Sequence, residues 1–316
     1  MNSEKINFRV ARDFGETFNV SIKFLRQNFR LLIQSLIFMA GPFILLTAIC
    51  GAYYQANAIE TFSIGQARHP LANFGLNYFL FILAGIVSNL AIIGTVYSFM
   101  IEYMDKGYGN FNLNDVGRRL RNNIGNILSV FFSLTLLILL FLGAIIGVFI
   151  AIGSAAPWLA VLLGVCAVIA LLIFFPPLMW QLSVVYMVKM SEDENVFDSF
   201  GRTKSVMRGN FWWTWVIVIC ATMAIGVISF VFSIPQVAYQ MISMISRARG
   251  NTSDVSIIFL IVATMCTFCT SLIYSLLYII NAFHYFSLAE KQDGTGLMDR
   301  INEIGQTPAQ NVEKQY

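Results

Sequence analysis

The chain has 316 residues, 57% of them hydrophobic and only 12% charged, with a net charge of +3. A soluble domain carries about a quarter charged residues, so half that share, with apolar runs longer than about 18 residues, excludes an ordinary soluble protein and marks a membrane chain. The charge is too mild to argue for a nucleic-acid partner, and the length leaves little room for a second folded domain.

The N-terminal 30 residues are basic and mixed in charge: Lys5, Arg9, Arg12, Lys23, Arg26 and Arg30 stand among Glu4, Asp13 and Glu16. No compact apolar core precedes Leu31, so this lead does not read as a cleavable signal, and the first span is expected to stay as an anchor. Freedom from charge then predicts six membrane helices, over 31–54, 77–102, 127–152, 158–188, 211–234 and 255–286. Each is long enough to cross a hydrocarbon core of about 30 Å. Pro176 and Pro177 fall near the middle of the fourth, where two missing amide donors predict a kink. The residues 153–157 read as a tight turn, and 55–76 and 235–254 as longer outer loops. Val237, Met241, Met244 and Ile245 have helical spacing within the last of these, as a second interfacial helix on that side would.

Of the 20 lysines and arginines, 17 lie in the N-terminus, the 103–126 and 189–210 loops and the tail; Arg68, Arg247 and Arg249 lie opposite. The positive-inside rule puts both termini in the cytoplasm.

A short pattern recurs at the entry of each odd-numbered span. Arg26-Gln27-Asn28-Phe29, Arg121-Asn122-Asn123-Ile124 and Arg208-Gly209-Asn210-Phe211 share the order Arg-x-Asn-apolar. The asparagines are 95 and 87 residues apart. We read three helix-pair repeats, about 7–104, 111–190 and 195–290, in one membrane domain, with a tail over 291–316. A basic amphipathic segment opens each repeat. In the first, Phe14, Phe18, Ile22, Leu25 and Phe29 recur at three- or four-residue steps among charged residues. Such helices lie in the interface, apolar face in acyl chains and basic face at headgroups. At each joint the arginine can reach lipid phosphates or a partner, while the asparagine can cap the helix that turns upright. Arg26, Asn28, Arg121, Asn123, Arg208 and Asn210 are therefore the candidate contacts for anionic lipid or a membrane-protein partner. Trp212, Trp213 and Trp215 add an aromatic anchor to the third joint.

Chemistry-bearing motifs are lacking. There is no His-Glu-x-x-His, Gly-x-Ser-x-Gly or phosphate loop, and only two histidines occur. The five cysteines sit in apolar runs, and the Cys266/Cys269 pair has no partners to complete a zinc set. No catalytic centre, metal or cofactor is expected. Glu102 and His284 stand near span ends, and intramembrane charge is otherwise scarce, which argues against a proton-coupled pump. Asn89, Thr95, Ser98, Gln181 and Asn281 are read as interhelical packing groups, and Gly143-x-x-x-Gly147 as a helix contact. Asn251-Thr252-Ser253 fits a glycosylation sequon, and Leu297, Ile301 and Ile304 fit a short tail helix.

The chain also resembles a group of bacterial six-helix membrane proteins, similar to the membrane domain fused to some glycerophosphodiester phosphodiesterases, in forms like those of Bacteroidetes. The resemblance rests on Leu25-Arg26-Gln27-Asn28-Phe29, on Phe197-Asp198-Ser199-Phe200-Gly201-Arg202-Thr203 running into Gly209-Asn210-Phe211, and on Tyr285 to Gly294 with Gly296-Leu297 and Arg300 to Gly305. It covers nearly the whole chain but no phosphodiesterase catalytic segment, so that activity is not carried over, and the resemblance implies a bacterial inner-membrane protein of unassigned activity. The composition then favours an accessory or assembly component of the envelope. The other reading is a lipid or amphiphile carrier, for which a groove or lipid-sized cavity would have to exist between the helices.

Overall fold

The computed structural model describes residues 5–63, 75–192, 194–248, 257–294 and 298. Helix α1 (Phe14–Ser35) passes through a π-helical turn (Leu36–Ala40) into α2 (Gly41–Ser63). There follow α3 (Leu76–Lys106), α4 (Leu113–Ala155), α5 (Pro157–Glu192), α6 (Val196–Met207), α7 (Phe211–Ala248) and α8 (Ile257–Asp293). Six helical stretches are long and apolar enough to cross a bilayer, and no strand occurs among the described residues. The chain is an all-α, multi-pass membrane protein. Arg68, Arg249, the sequon and the tail positions Leu297, Ile301 and Ile304 lie outside the described residues.

Local chemistry fixes several helix starts that hydropathy does not show. At the head of α1, Asp13 Oδ1 accepts the Glu16 amide at 2.7 Å, and Glu16 Oε2 accepts the Asp13 amide at 3.2 Å. Asn112 and Asp115 form the same reciprocal box at the head of α4. Each box satisfies two amides that would otherwise face no partner. The π turn has a cause in Pro42. Its ring would clash with the carbonyl four residues back. One residue earlier the helix has widened, so that the Gly41 amide donates to Leu36, five residues back.

The three expected joints differ. Around Arg26 and Arg121 the helix does not break. Asn28 Nδ2 donates to the Phe24 carbonyl at 3.0 Å, and Asn123 Nδ2 to the Arg119 carbonyl at 3.0 Å. Both asparagines therefore sit inside helices and bond back one turn, so the capping role expected of them is corrected. Only the third joint breaks, between α6 and α7. There Gly209 adopts φ +86°, and the Asn210 carbonyl accepts the Thr214 amide at 2.9 Å. The middle residue decides the outcome. Gln27 and Asn122 let a helix continue, whereas glycine reaches the left-handed conformation that ends one.

As a result several helices outrun their apolar runs. The 43 residues of α4 reach about 65 Å at 1.5 Å per residue, twice the hydrocarbon thickness. Helix α7 likewise continues unbroken through Pro235 to Ala248, so Val237, Met241, Met244 and Ile245 extend the fifth span and form no separate helix. Helix α5 stays helical through Pro176 and Pro177, which are both buried.

The first amphipathic helix buries a face that mixes small and polar residues with Phe24 and Leu32. Thr17, Ser21, Phe24, Asn28, Leu32 and Ser35 face the protein, while Ile22 and Phe29 are exposed. Lipid is as apolar as leucine, so outward apolar residues cost nothing and small residues let backbones approach. Gly94 marks such an approach. A Cβ there would lie 2.7 Å from Ile127 Cδ1 and 2.8 Å from Leu120 Cδ1, so α3 and α4 meet at that point. At Gly143 and Gly147 a Cβ would meet nothing within 4 Å, so the expected contact at that pair is not made among the described residues.

The main core lies at the basic end of the bundle. A strap over residues 5–13 is seated there before α1 begins. Phe8 stacks on Phe283 at 4.7 Å between ring centroids and meets Phe24, Tyr103 and Phe286 edge-on or tilted. The Ile6 amide donates to the Tyr103 hydroxyl at 3.0 Å, and the Arg12 amide to Ser287 Oγ at 2.9 Å. Both ends of the described chain thus lie on one side. At the other extreme, the α4–α5 hairpin from Leu136 to Phe175 is mostly exposed, and the most apolar part of α4 is wholly unburied.

Candidate functional site

Between these helices lies a cavity of about 810 Å³. Its walls come from α3, α4, α5, α7 and α8, with Thr47 of α2 at one edge. Most of the lining is apolar, including Phe81, Ile86, Phe131, Leu134, Phe175, Met179, Val218 and Ile219. Ile82, Ile138, Phe175 and Met179 belong both to the lining and to the exposed surface. The cavity therefore opens sideways, where acyl chains would be. Its size falls within the range of small-molecule sites.

Polar groups gather at one region of its wall. On α8, Tyr278 and Asn281 are three residues apart and share a face, as Trp180 and Ser183 do on α5. Asn89 Nδ2 donates to the Tyr278 hydroxyl at 2.9 Å. Asn281 Nδ2 donates to Ser183 Oγ at 3.0 Å, and Ser183 in turn donates to the Trp180 carbonyl at 2.9 Å. Trp180 Nε1 donates to the Asn281 carbonyl at 3.3 Å. Asn281 is 3% exposed, and its Oδ1 accepts no hydrogen bond. Among the described residues no Asp, Glu, Lys, Arg or His lines the cavity.

Ionisable groups are held elsewhere. Glu102 is buried where α3 and α4 meet at the basic end, 2.7 Å from Lys106 Nζ and 2.5 Å from Arg119 Nε. Arg119 also pairs with Asp105, and Lys106 reaches Asp115 at 3.3 Å. A second group joins α5, α6 and α8. Arg202 pairs with Asp293 and lies 3.8 Å from Glu192, which accepts the Tyr285 hydroxyl at 2.8 Å. The hydrogen bond to Asp293 raises the Arg202 guanidinium further above its usual value, so it stays charged. His284 is 1% exposed, with Nε2 3.0 Å from Thr214 Oγ1. These groups are satisfied by partners inside the fold. Among the described residues no group of three His, Cys, Asp or Glu side chains could hold a metal ion.

The sequence-predicted residues divide between two places. Arg26, Arg121 and Arg208 are exposed at the basic end, on α1, on α4 and at the end of α6. None of them joins an ion pair among the described residues. Asn28 is buried, and Asn123 and Asn210 are half-buried, so these asparagines are not equivalent to one another. Pro176 lines the cavity, and Pro177 is buried next to it in sequence.

Comparison with family models, curated proteins and solved structures finds no match.

Sequence reading assigned Asn89 and Asn281 to packing and did not connect them with Tyr278, Trp180 or Ser183. The available signal was the pair of three-residue steps on α5 and α8, which put two polar faces at matching depth. Nothing in a single sequence shows that five helices leave a void in front of those faces.

Proposed function

We propose that this chain is a bacterial inner-membrane protein, with both termini cytoplasmic, that takes an amphiphile into the cavity between α3, α4, α5, α7 and α8. The observation that carries the reading is the side opening of the cavity onto the lipid-facing surface. A solid bundle would have favoured a purely structural role. An apolar pocket with a few convergent polar groups is the usual form of a binding site. The excess of basic residues at one end supports the orientation. It also supports contact between Arg26, Arg121 and Arg208 and anionic headgroups of the cytoplasmic leaflet.

The test is direct. Protein purified in nanodiscs of bacterial lipid is labelled with a photoreactive fatty amphiphile, and the labelled peptides are mapped. Label is expected on the α5 and α8 segments around Met179 and Asn281. Thr222→Trp, which fills the cavity from α7, should remove most of it. Labelling spread evenly over lipid-facing helices and unaffected by Thr222→Trp would sink the reading.

The exposed α4–α5 hairpin favours a second reading, the accessory or assembly role. A Cβ at Gly143 or Gly147 would meet nothing within 4 Å among the described residues. Native mass spectrometry should then find a stoichiometric partner or second copy, and a lone chain in mild detergent would count against it.

A further inference from the structure

We propose that one anionic phospholipid is held at a defined site at the basic end, its phosphate on Arg118 and Arg121 of α4 and an acyl chain along Phe38. This localises the headgroup contact proposed above and does not depend on the side cavity. A second hollow, of about 440 Å³, lies between the start of α4 and the π-helical turn. On α4, Asn114, Gly117, Arg118 and Arg121 are spaced three, one and three residues apart, so they share one face. Phe38 and Met39 of the π turn form the facing wall. The two walls close at the floor, where a Cβ on Gly117 would lie 3.1 Å from Met39 Cε. The rim is open, since Phe38 is 68% exposed. Single π turns inside longer helices occur frequently at functional sites.

The hollow joins the two chemistries that a phospholipid joins. Phe38 belongs to the charge-free run that begins at Leu31, whereas the arginines belong to the basic loop before the third span. Arg118 and Arg121 are exposed, and neither forms an ion pair among the described residues. No carboxylate among the described residues lines the hollow. Asp115, three residues before Arg118, is already engaged. It lies 3.3 Å from Lys106 Nζ and accepts the Asn112 amide at 3.0 Å. Two planar guanidinium forks suit a phosphate, whose oxygens accept paired, charge-assisted hydrogen bonds. Asn114 adds a side-chain amide that can donate. A zwitterionic head would bring an ammonium group beside two arginines, with no carboxylate to receive it. A net anion meets no such repulsion. Free phosphate would use the arginines and leave Phe38 bare, whereas a lipid also covers the ring with its chain.

The experiment titrates the delipidated full chain in mild detergent with dioleoyl phosphatidylglycerol or dioleoyl phosphatidylcholine and follows bound lipid by native mass spectrometry. A first phosphatidylglycerol should bind about tenfold more tightly than phosphatidylcholine. Arg118→Gln with Arg121→Gln should weaken that first binding about thirtyfold, the combined worth of two arginines beside an anionic lipid. Arg26→Gln with Arg208→Gln removes the same charge elsewhere and should change it less than about threefold, because distant exposed charges are screened. Asn114→Trp fills the hollow and keeps both arginines. It should abolish the first binding while leaving attraction to anionic liposomes unchanged. Size exclusion checks the folding of each variant, and Asn114→Trp decides alone should the Arg118/Arg121 variant fail to fold. Equal weakening by the Arg26/Arg208 variant, or undiminished binding to Asn114→Trp, overturns the site and leaves the headgroup contact standing. Displacement of the lipid by excess inorganic phosphate overturns the lipid occupant. Failure to distinguish phosphatidylglycerol from phosphatidylcholine removes the site and the headgroup contact together.

Discussion

Phe8→Ala should unseat the N-terminal strap without unfolding the bundle. Phe8 is 3% exposed and sits among four rings, those of Phe24, Tyr103, Phe283 and Phe286, at centroid distances of 4.7–5.8 Å. Truncating a buried phenylalanine costs about 3–5 kcal/mol in a water-excluded core. The strap is at the aqueous end of the molecule, so its unseated state is solvated by water and the full hydrophobic term applies. Contacts between spans differ, because there lipid replaces the lost neighbour. Taking the lower figure of about 3 kcal/mol, the open-to-seated ratio of the strap should rise more than about a hundredfold. Hydrogen exchange in nanodiscs reads this through two amides, Ile6 donating to Tyr103 and Arg12 donating to Ser287. Both should exchange faster by roughly that factor, while amides in the middle of α3 and α8 keep their rates. Phe8→Leu, which retains most of the volume, should cost about 1 kcal/mol and give a correspondingly smaller change. Unchanged exchange at Ile6 and Arg12 would refute the reasoning. So would an equal acceleration throughout α3 and α8, since that would make Phe8 part of the global core.

Three further outcomes follow from the packing and the joints. Gly209→Ala should lower thermal stability by about 1–2 kcal/mol, because φ +86° is strained for any residue with a Cβ; the same change at Gly125, inside α4, should cost nothing or stabilise. Gly94→Ala should destabilise the α3–α4 contact by about 1–3 kcal/mol through overpacking, and adding Ile127→Ala should recover part of that loss in a double-mutant cycle of thermal unfolding. Replacing Arg26, Arg121 and Arg208 together with alanine should weaken binding of the detergent-solubilised protein to anionic liposomes by about 1 kcal/mol per residue at low salt; unchanged binding would return those arginines to a purely topological role.

Much of the fold was legible because a bilayer imposes a simple rule on sequence. Charge-free runs of sufficient length located six crossings, and the sum of basic residues separated the two sides. Helix ends were less legible. The extensions of α4 and α7 beyond their apolar runs depend on backbone continuity, to which hydropathy is blind. The Arg-x-Asn pattern illustrates the limit well. Three segments alike in two residues fold differently because the residue between them is Gln27, Asn122 or Gly209. The buried side of α1 was also concealed, since Thr17, Ser21 and Asn28 face in beside Phe24 and Leu32, while Ile22 and Phe29 of the apolar stripe face out. As for the site, its polar groups could be named from sequence, Asn89 and Asn281 among them. Its existence could not, because a cavity is a property of how five helices are spaced.

The strap also bears on the order in which the molecule is made. Residues 5–13 leave the ribosome ahead of all six spans, yet their seat is built from Phe283, Phe286 and Ser287, near the end of α8. They must wait, exposed, through the insertion of every span. A chain stalled before α8 has nowhere to put Phe8. Seating of the strap therefore reports that α8 has packed against α1 and α3.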